Sequence, residues 1–194
     1  IPDSTKVLSV SAAETSHLIE KYLVHSCPDT YSYEKTGFIT FRLSPLGAMN
    51  TIYKIDKILQ ITEDMKKVLV GDEGNKLSFI PQVTSVHDRF GNEASDLNNK
   101  KDSQVLDQKE IERLRNYLKG SPFPKNNRFY LLSKWKKLPN EFIPEEYKNE
   151  PRYPTIGELL TGKTPSSLVD EIDSLRGDIL YIRTKDIQQN KFIS

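Results

Sequence analysis

The sequence predicts an α+β fold with about five strands in a mixed or partly antiparallel sheet, flanked by capped amphipathic helices. Three observations predict it. Strand-like and helix-like segments follow one another along the chain, helical segments open on polar caps, and the strands carry polar residues at alternate positions. Thr40 and Arg42, Ser78 and Gln82, and Ser133 and Arg183 are such positions. Strict β-α alternation points to a parallel α/β sheet, the alternative. Central parallel strands are covered on both faces and read as unbroken apolar runs. The polar alternation therefore favours α+β.

Lys6 to Val10 reads as a short strand, and Ser11-Ala12-Ala13-Glu14 matches a capping box opening a helix. Leu18, Ile19, Tyr22 and Leu23 follow at helical spacing until Pro28-Asp29. Gly37 to Leu43 alternates, with Ile39, Phe41 and Leu43 on one face, and predicts a half-buried strand. Ile52, Ile55, Ile58 and Leu59 fall on one helical stripe, and Met65, Val68 and Leu69 suggest a second helical piece ending at Gly71. Lys76 to Val83 reads as a strand at an edge or bulge, since Pro81 cannot donate to a ladder. Residues 84–104 are polar and aperiodic, which predicts a surface loop.

Asp107 and Glu110 then form a capping box, Ile111, Leu114, Tyr117 and Leu118 a buried stripe, and Gly120 a left-handed cap. Arg128 to Lys134 and Asp178 to Thr184 read as strands. Residues 135–154 show neither helical nor strand period, and their prolines bias the segment to extended backbone. No linker of domain-boundary type interrupts the pattern, so 1–194 is expected to form one domain.

With 194 residues, 36% of them hydrophobic, the chain is long enough to bury a core without staples. Its 28 basic and 27 acidic side chains nearly cancel, so nucleic-acid binding would have to rest on a local patch. The single Cys27 cannot form an internal disulfide, and no Asn opens a glycosylation site; both favour an intracellular compartment, cytoplasmic or nuclear. The chain opens Ile1-Pro2 without Met, which leaves the mitochondrial matrix open if a presequence was removed. No apolar run approaches the roughly 20 residues of a membrane span, so no membrane insertion is expected.

Gly157-Glu158-Leu159-Leu160-Thr161-Gly162-Lys163-Thr164 satisfies the P-loop letters, in which Gly162, Lys163 and Thr164 would hold a nucleotide. Its context argues otherwise. Pro151 and Pro154 stand where a buried strand should be, and Glu158 would lie beside phosphates. Thr155 and Glu158 instead match a capping box for a short helix ended by Gly162. His25 and Cys27 suggest a thiol–imidazole pair, but no third group orients them, and a structural thiol at a helix end is expected. Three dispersed histidines and one cysteine offer no metal-ligand spacing, and no cofactor is expected.

Arg128, Lys134, Lys136 and Lys137 surround Phe129, Tyr130 and Trp135, an interleaving that can hold phosphates and stack bases. Trp135, Phe142, Tyr147 and Tyr153 alternate with prolines and would anchor a protein partner, if they do not plug the chain's own core. The sequence thus predicts a non-catalytic protein–protein interaction module or subunit of a larger assembly, docking through 135–154. The alternatives are an enzyme, in its nameable form a nucleotide-binding protein using the degenerate P-loop, and a weak nucleic-acid binder using the basic aromatic strand.

Overall fold

A computed structural model of the chain describes residues 1–71, 83–87, 106–144 and 152–162. The strands are β1 (Leu8–Ser11), β2 (Val24–Cys27), β3 (Phe38–Arg42), β4 (Met49–Ile61), β5 (Val83–His87) and β6 (Arg128–Phe142). The helices are α1 (Ser16–Tyr22), α2 (Glu63–Val70), α3 (Gln108–Gly120) and α4 (Ile156–Thr161). All six strands join one mixed sheet in the order β1-β3-β4-β6-β2, with β5 pairing β4. Only the β1–β3 pair is parallel among them. The fold is α+β.

The sheet is built on the β4–β6 ladder, and β4 corrects the sequence reading most. Ile52, Ile55, Ile58 and Leu59 lie on a strand, not on a helical stripe. β-branched Thr51, Ile52, Ile55, Ile58 and Ile61 suit a pleated, half-buried surface. The helical spacing has two sources, a strand buried on both faces, with Ile52 and Leu59 in other clusters than Ile55 and Ile58, and a bulge. Ile55 faces Leu132 and Lys57 faces Leu131, so Asp56 is an extra residue. Ile55 and Ile58 therefore reach the same face although three positions apart. On β6, Trp135 is the extra residue between Lys134, opposite Tyr53, and Lys136, opposite Ile52. Pro139 falls within a third register shift, between Lys137 and Phe142, where it has no ladder partner to disappoint.

Alternation along β6 separates two layers. Phe129 and Leu131 join Leu59, Ile61, Met65, Leu69, Ile111 and Leu114 beneath α2 and α3. Tyr130 and Leu132 join Leu8, Val10, Ile39, Phe41, Tyr53 and Ile55 on the opposite face. That second face is curled. His25 on β2 and Phe41 on β3 bring their ring centroids to 5.1 Å, although β4 and β6 lie between their strands. In a flat sheet three strand spacings would part them by about 14 Å. A third cluster packs Ile156 and Leu159 of α4 on Val7, Phe38, Ile52 and Leu138.

Several other expectations change. Ser11 ends β1, in register with Arg42, so the parallel ladder takes the residue expected to cap a helix. α1 starts later, behind Thr15, which makes no side-chain cap bond. Cys27 and His25 consequently sit on β2 rather than at a helix end. Gly120 is the last residue of α3, not a left-handed cap. A Cβ there would come within 2.9 Å of Leu18 Cδ2, so the glycine lets α3 approach α1 closely. Residues 84–87, expected in a loop, belong to β5. β6 continues through Trp135 to Phe142, where an aperiodic segment was expected. The capping box of Asp107 and Glu110 is formed, and α2 ends at Gly71. The expected strands over 76–82 and 178–184 lie outside the described residues.

α1 turns into β2 through Leu23, whose φ of 56° places a leucine in the left-handed region. Such a position costs on the order of 1–3 kcal/mol and needs support. Arg113 supplies it. Its Nε donates to Tyr22 O at 2.8 Å, and its Nη2 donates to Leu23 O at 2.5 Å and Leu132 O at 2.7 Å. One side chain of α3 thus ties the end of α1, the start of β2 and the middle of β6. Arg113→Leu should lower stability in urea unfolding by about 3 kcal/mol, the scale of lost charge-assisted bonds. Lys134→Ala, on an exposed site of the same sheet, should change it by less than about 0.5 kcal/mol.

Candidate functional site

The curl leaves open space at the mouth of the concave face, divided by the loop that joins β2 to β3. One cavity of about 380 Å³ lies between the β1–α1 turn, β2, Tyr31, Tyr33 and the α3–β6 connection at Phe123 and Asn126. A neighbour of about 390 Å³ shares Tyr31 and Tyr33 and is bounded by Glu34, Lys35, Ile58, Arg128 and Tyr130. The loop is strapped down at several points. Arg128 Nη1 donates to Tyr31 O at 2.5 Å and Nη2 to Asp29 O at 2.6 Å. Gln60 Nε2 donates to Asp29 Oδ2 at 3.2 Å, and Tyr153 Oη accepts from Glu34 N at 2.8 Å. Behind the first cavity, Asn126 Nδ2 donates to Ser26 O at 3.1 Å, while Ser26 Oγ and Tyr117 Oη lie 3.1 Å apart.

His25 and Cys27 line this first cavity from neighbouring inward positions on β2. Burial holds the His25 imidazole down at about 4, so it is neutral at physiological pH. Neither ring nitrogen has a hydrogen-bond partner. The ring lies instead among aromatic neighbours, 5.1 Å from Phe41 and 5.9 Å from Tyr130 between centroids. Burial pushes the Cys27 thiol up to about 11, against the opposing pull of Arg128. The same desolvation raises the Tyr33 and Tyr130 phenols above their ordinary value. Thiolate and imidazolium are both disfavoured here, so neither a thiolate nucleophile nor an imidazolium acid is favoured at neutral pH.

Charge and aromatic surface are unevenly spread. Among the described residues, Glu14 is the one Asp or Glu lining the first cavity, and no Lys or Arg lines it. Lys35 and Arg128 border the second. At the rim, Tyr31 and Phe123 remain 50% and 43% exposed.

The sequence-predicted partner anchors lie elsewhere and pack on their own chain. Trp135 stacks obliquely on Phe38 at 5.0 Å, and it and Phe142 rest against the α4 cluster. Tyr153 rests against the concave-face cluster. The backbone beside it pairs with β1, through Ser9 N–H to Arg152 O at 2.7 Å and Val7 N–H to Pro154 O at 2.8 Å. Tyr147 lies outside the described residues. Of the basic set, Lys134, Lys136 and Lys137 are exposed, whereas Arg128 is occupied by loop carbonyls. The P-loop-like run is helical over Ile156–Thr161, with the Thr155–Glu158 capping box formed and Gly162 at φ 58° ending it. Its first amides are already taken: Gly157 N–H donates to Asp3 O at 2.8 Å and Glu158 N–H to Thr155 Oγ1 at 3.2 Å, so neither is left for a phosphate. Lys163 and Thr164 lie outside the described residues. Among the described residues, no group of three or more His, Cys, Asp or Glu could hold a metal.

Sequence reasoning missed Tyr31, Tyr33 and Phe123 and passed over His25. The available signal was the alternating Tyr31-Ser32-Tyr33 immediately after Pro28-Asp29, aromatic residues in a segment too short to build a core. Compared with protein-family models, curated proteins and solved structures, the chain matches none.

The neutral His25 links folding to pH. Its pKa falls from an ordinary 6.5 to about 4 on folding, so an unfolded chain takes up the proton first as pH drops. The associated stability is complete above pH 6.5 and is lost as pH falls through 4, amounting to about 3 kcal/mol. Urea unfolding between pH 7 and 4 should show this loss, and His25→Phe should remove that part of the slope.

Proposed function

We propose that the protein is a non-catalytic recognition module whose ligand enters the cavity rimmed by Tyr31, Tyr33 and Phe123. The observation that carries this reading is an open cavity rimmed by Tyr31, Tyr33 and the partly exposed Phe123, and burial that favours the neutral forms of His25 and Cys27 supports it. A nucleophilic site lowers a thiol's pKa and raises or tunes its partner base toward neutrality; burial here does the opposite to both groups. A cavity walled by aromatic rings with a few polar groups is the usual form of a binding site. The interaction class expected from the sequence is retained, and its surface moves from 135–154 to the β2–β3 loop. A free, buried Cys27 suits a reducing intracellular setting, where the module would serve a larger assembly.

A second, weaker reading rests on the three exposed lysines of β6. Lys134, Lys136 and Lys137 could contact phosphates without reading sequence. With Arg128 engaged by the loop, such binding should weaken with salt at a log–log slope between about −2 and −3.

Screening the full chain by protein-observed NMR against aromatic, anionic and cationic fragments tests the main proposal. The strongest shifts should fall on Tyr31, Tyr33 and Phe123, and bound fragments should be recovered chemically unchanged. Shifts concentrated at Trp135 and Phe142, or turnover of a fragment, would overturn it. In the same protein, Phe142→Ala should cost about 2 kcal/mol of stability because its ring is half-buried. Phe123→Ala should cost well under about 1 kcal/mol.

A further inference from the structure

We infer that the cavity beside His25 is a site for an organic cation of the quaternary or methylated ammonium class. This rests on the recognition reading above and names its ligand. Three features of the lining carry it. The Tyr31 and Tyr33 rings meet nearly edge to face, with centroids 5.8 Å apart and planes inclined at 65°. Two rings set at such an angle form a corner. Phe123 lines the same cavity from the α3–β6 connection, giving a third aromatic wall.

The electrostatics select the sign of the guest. Aromatic faces carry negative quadrupole potential, and Glu14 adds a carboxylate to the lining. Among the described residues the lining holds no Lys or Arg. Arg128 touches Cys27 from the second cavity, and its guanidinium is already engaged by the carbonyls of Tyr31 and Asp29, so an anion would have to compete with those bonds for it. An uncharged ring would stack but gain nothing from Glu14.

The degree of substitution follows from hydration. A bare ammonium is strongly hydrated and needs acceptors to replace its water. A methylated ammonium is weakly hydrated, spreads its charge over methyl groups, and is satisfied by ring faces. About 380 Å³ accommodates a trimethylammonium head with part of its stem, and the exposed Tyr31 and Phe123 leave the stem a way out.

The full chain can be titrated with choline and with 3,3-dimethyl-1-butanol, its uncharged isostere, while shifts at Tyr31, Tyr33 and Phe123 are followed by NMR. Choline should bind at least about tenfold more tightly. Phe123→Ala and Tyr31→Ala should each weaken choline roughly 3- to 30-fold, Glu14→Gln should weaken it without affecting the isostere, and Lys134→Ala should change nothing. Unchanged melting curves will separate lost binding from lost folding. A trimethyllysine peptide binding more tightly than choline supports a protein-borne group, and the reverse supports a free small molecule. Equal binding of choline and its isostere would overturn the cation assignment and leave the recognition module standing. Binding of neither, with fragments gathering on another surface, would overturn both.

Discussion

The four other described strands join the sheet through the β4–β6 ladder, directly or by way of β3. β3 and β5 pair with β4, β2 pairs with β6, and β1 reaches the sheet through β3. Both central strands are long, and both carry extra residues, Asp56 on one and Trp135 on the other. Bulges bend a strand and increase its local twist. Here they accompany a curl tight enough to bring His25 against Phe41 from strands that are three steps apart. The helices then divide the remaining work. α2 and α3 cover one face, while α1 contributes Leu18 to their cluster and Ile19 to the concave one.

From the curl follows the chemistry of the concave face. Polar side chains that would be solvated on a flat sheet are enclosed by Phe41, Tyr53 and Tyr130. Desolvation penalises each charged form, and so His25, Cys27, Tyr33 and Tyr130 all move toward their neutral states. Arg128 stands at the boundary. It pairs with Cys27 in the β2–β6 register and spends its guanidinium on the carbonyls of Asp29 and Tyr31. A residue whose position in a basic aromatic run suggests phosphate contact thereby holds an aromatic loop over the cavity.

Legibility in the sequence followed the range of the interactions. Local chemistry was readable: the capping boxes at Asp107 and Thr155 depend on residues three apart, and both formed. The α+β class was readable too, but not the half-buried face expected of β3: Thr40 and Arg42 are fully buried, Thr40 Oγ1 donating to Thr51 O at 2.8 Å and Arg42 Nη1 to Ser9 O at 3.0 Å. Interactions between distant segments were not readable. The bulge at Asp56 and burial on both faces gave β4 a helix-like spacing, and only pairing with β6 distinguishes strand from helix. Ser11 had the letters of a cap but found a parallel partner strand first. The cavity required the most distant coincidence of all, since Glu14, His25, Tyr31 and Phe123 come from separate segments. A lone histidine two residues from a cysteine cannot announce that a curled sheet will keep it neutral.

The proposed recognition role depends on the curl of the β4–β6 sheet removing His25 from water. NMR of the His25 imidazole nitrogens from pH 8 to pH 4 measures that removal. One neutral form is expected throughout physiological pH, with a midpoint near 4. A midpoint near the ordinary 6.5, with the ring exchanging its proton freely with water, would contradict it.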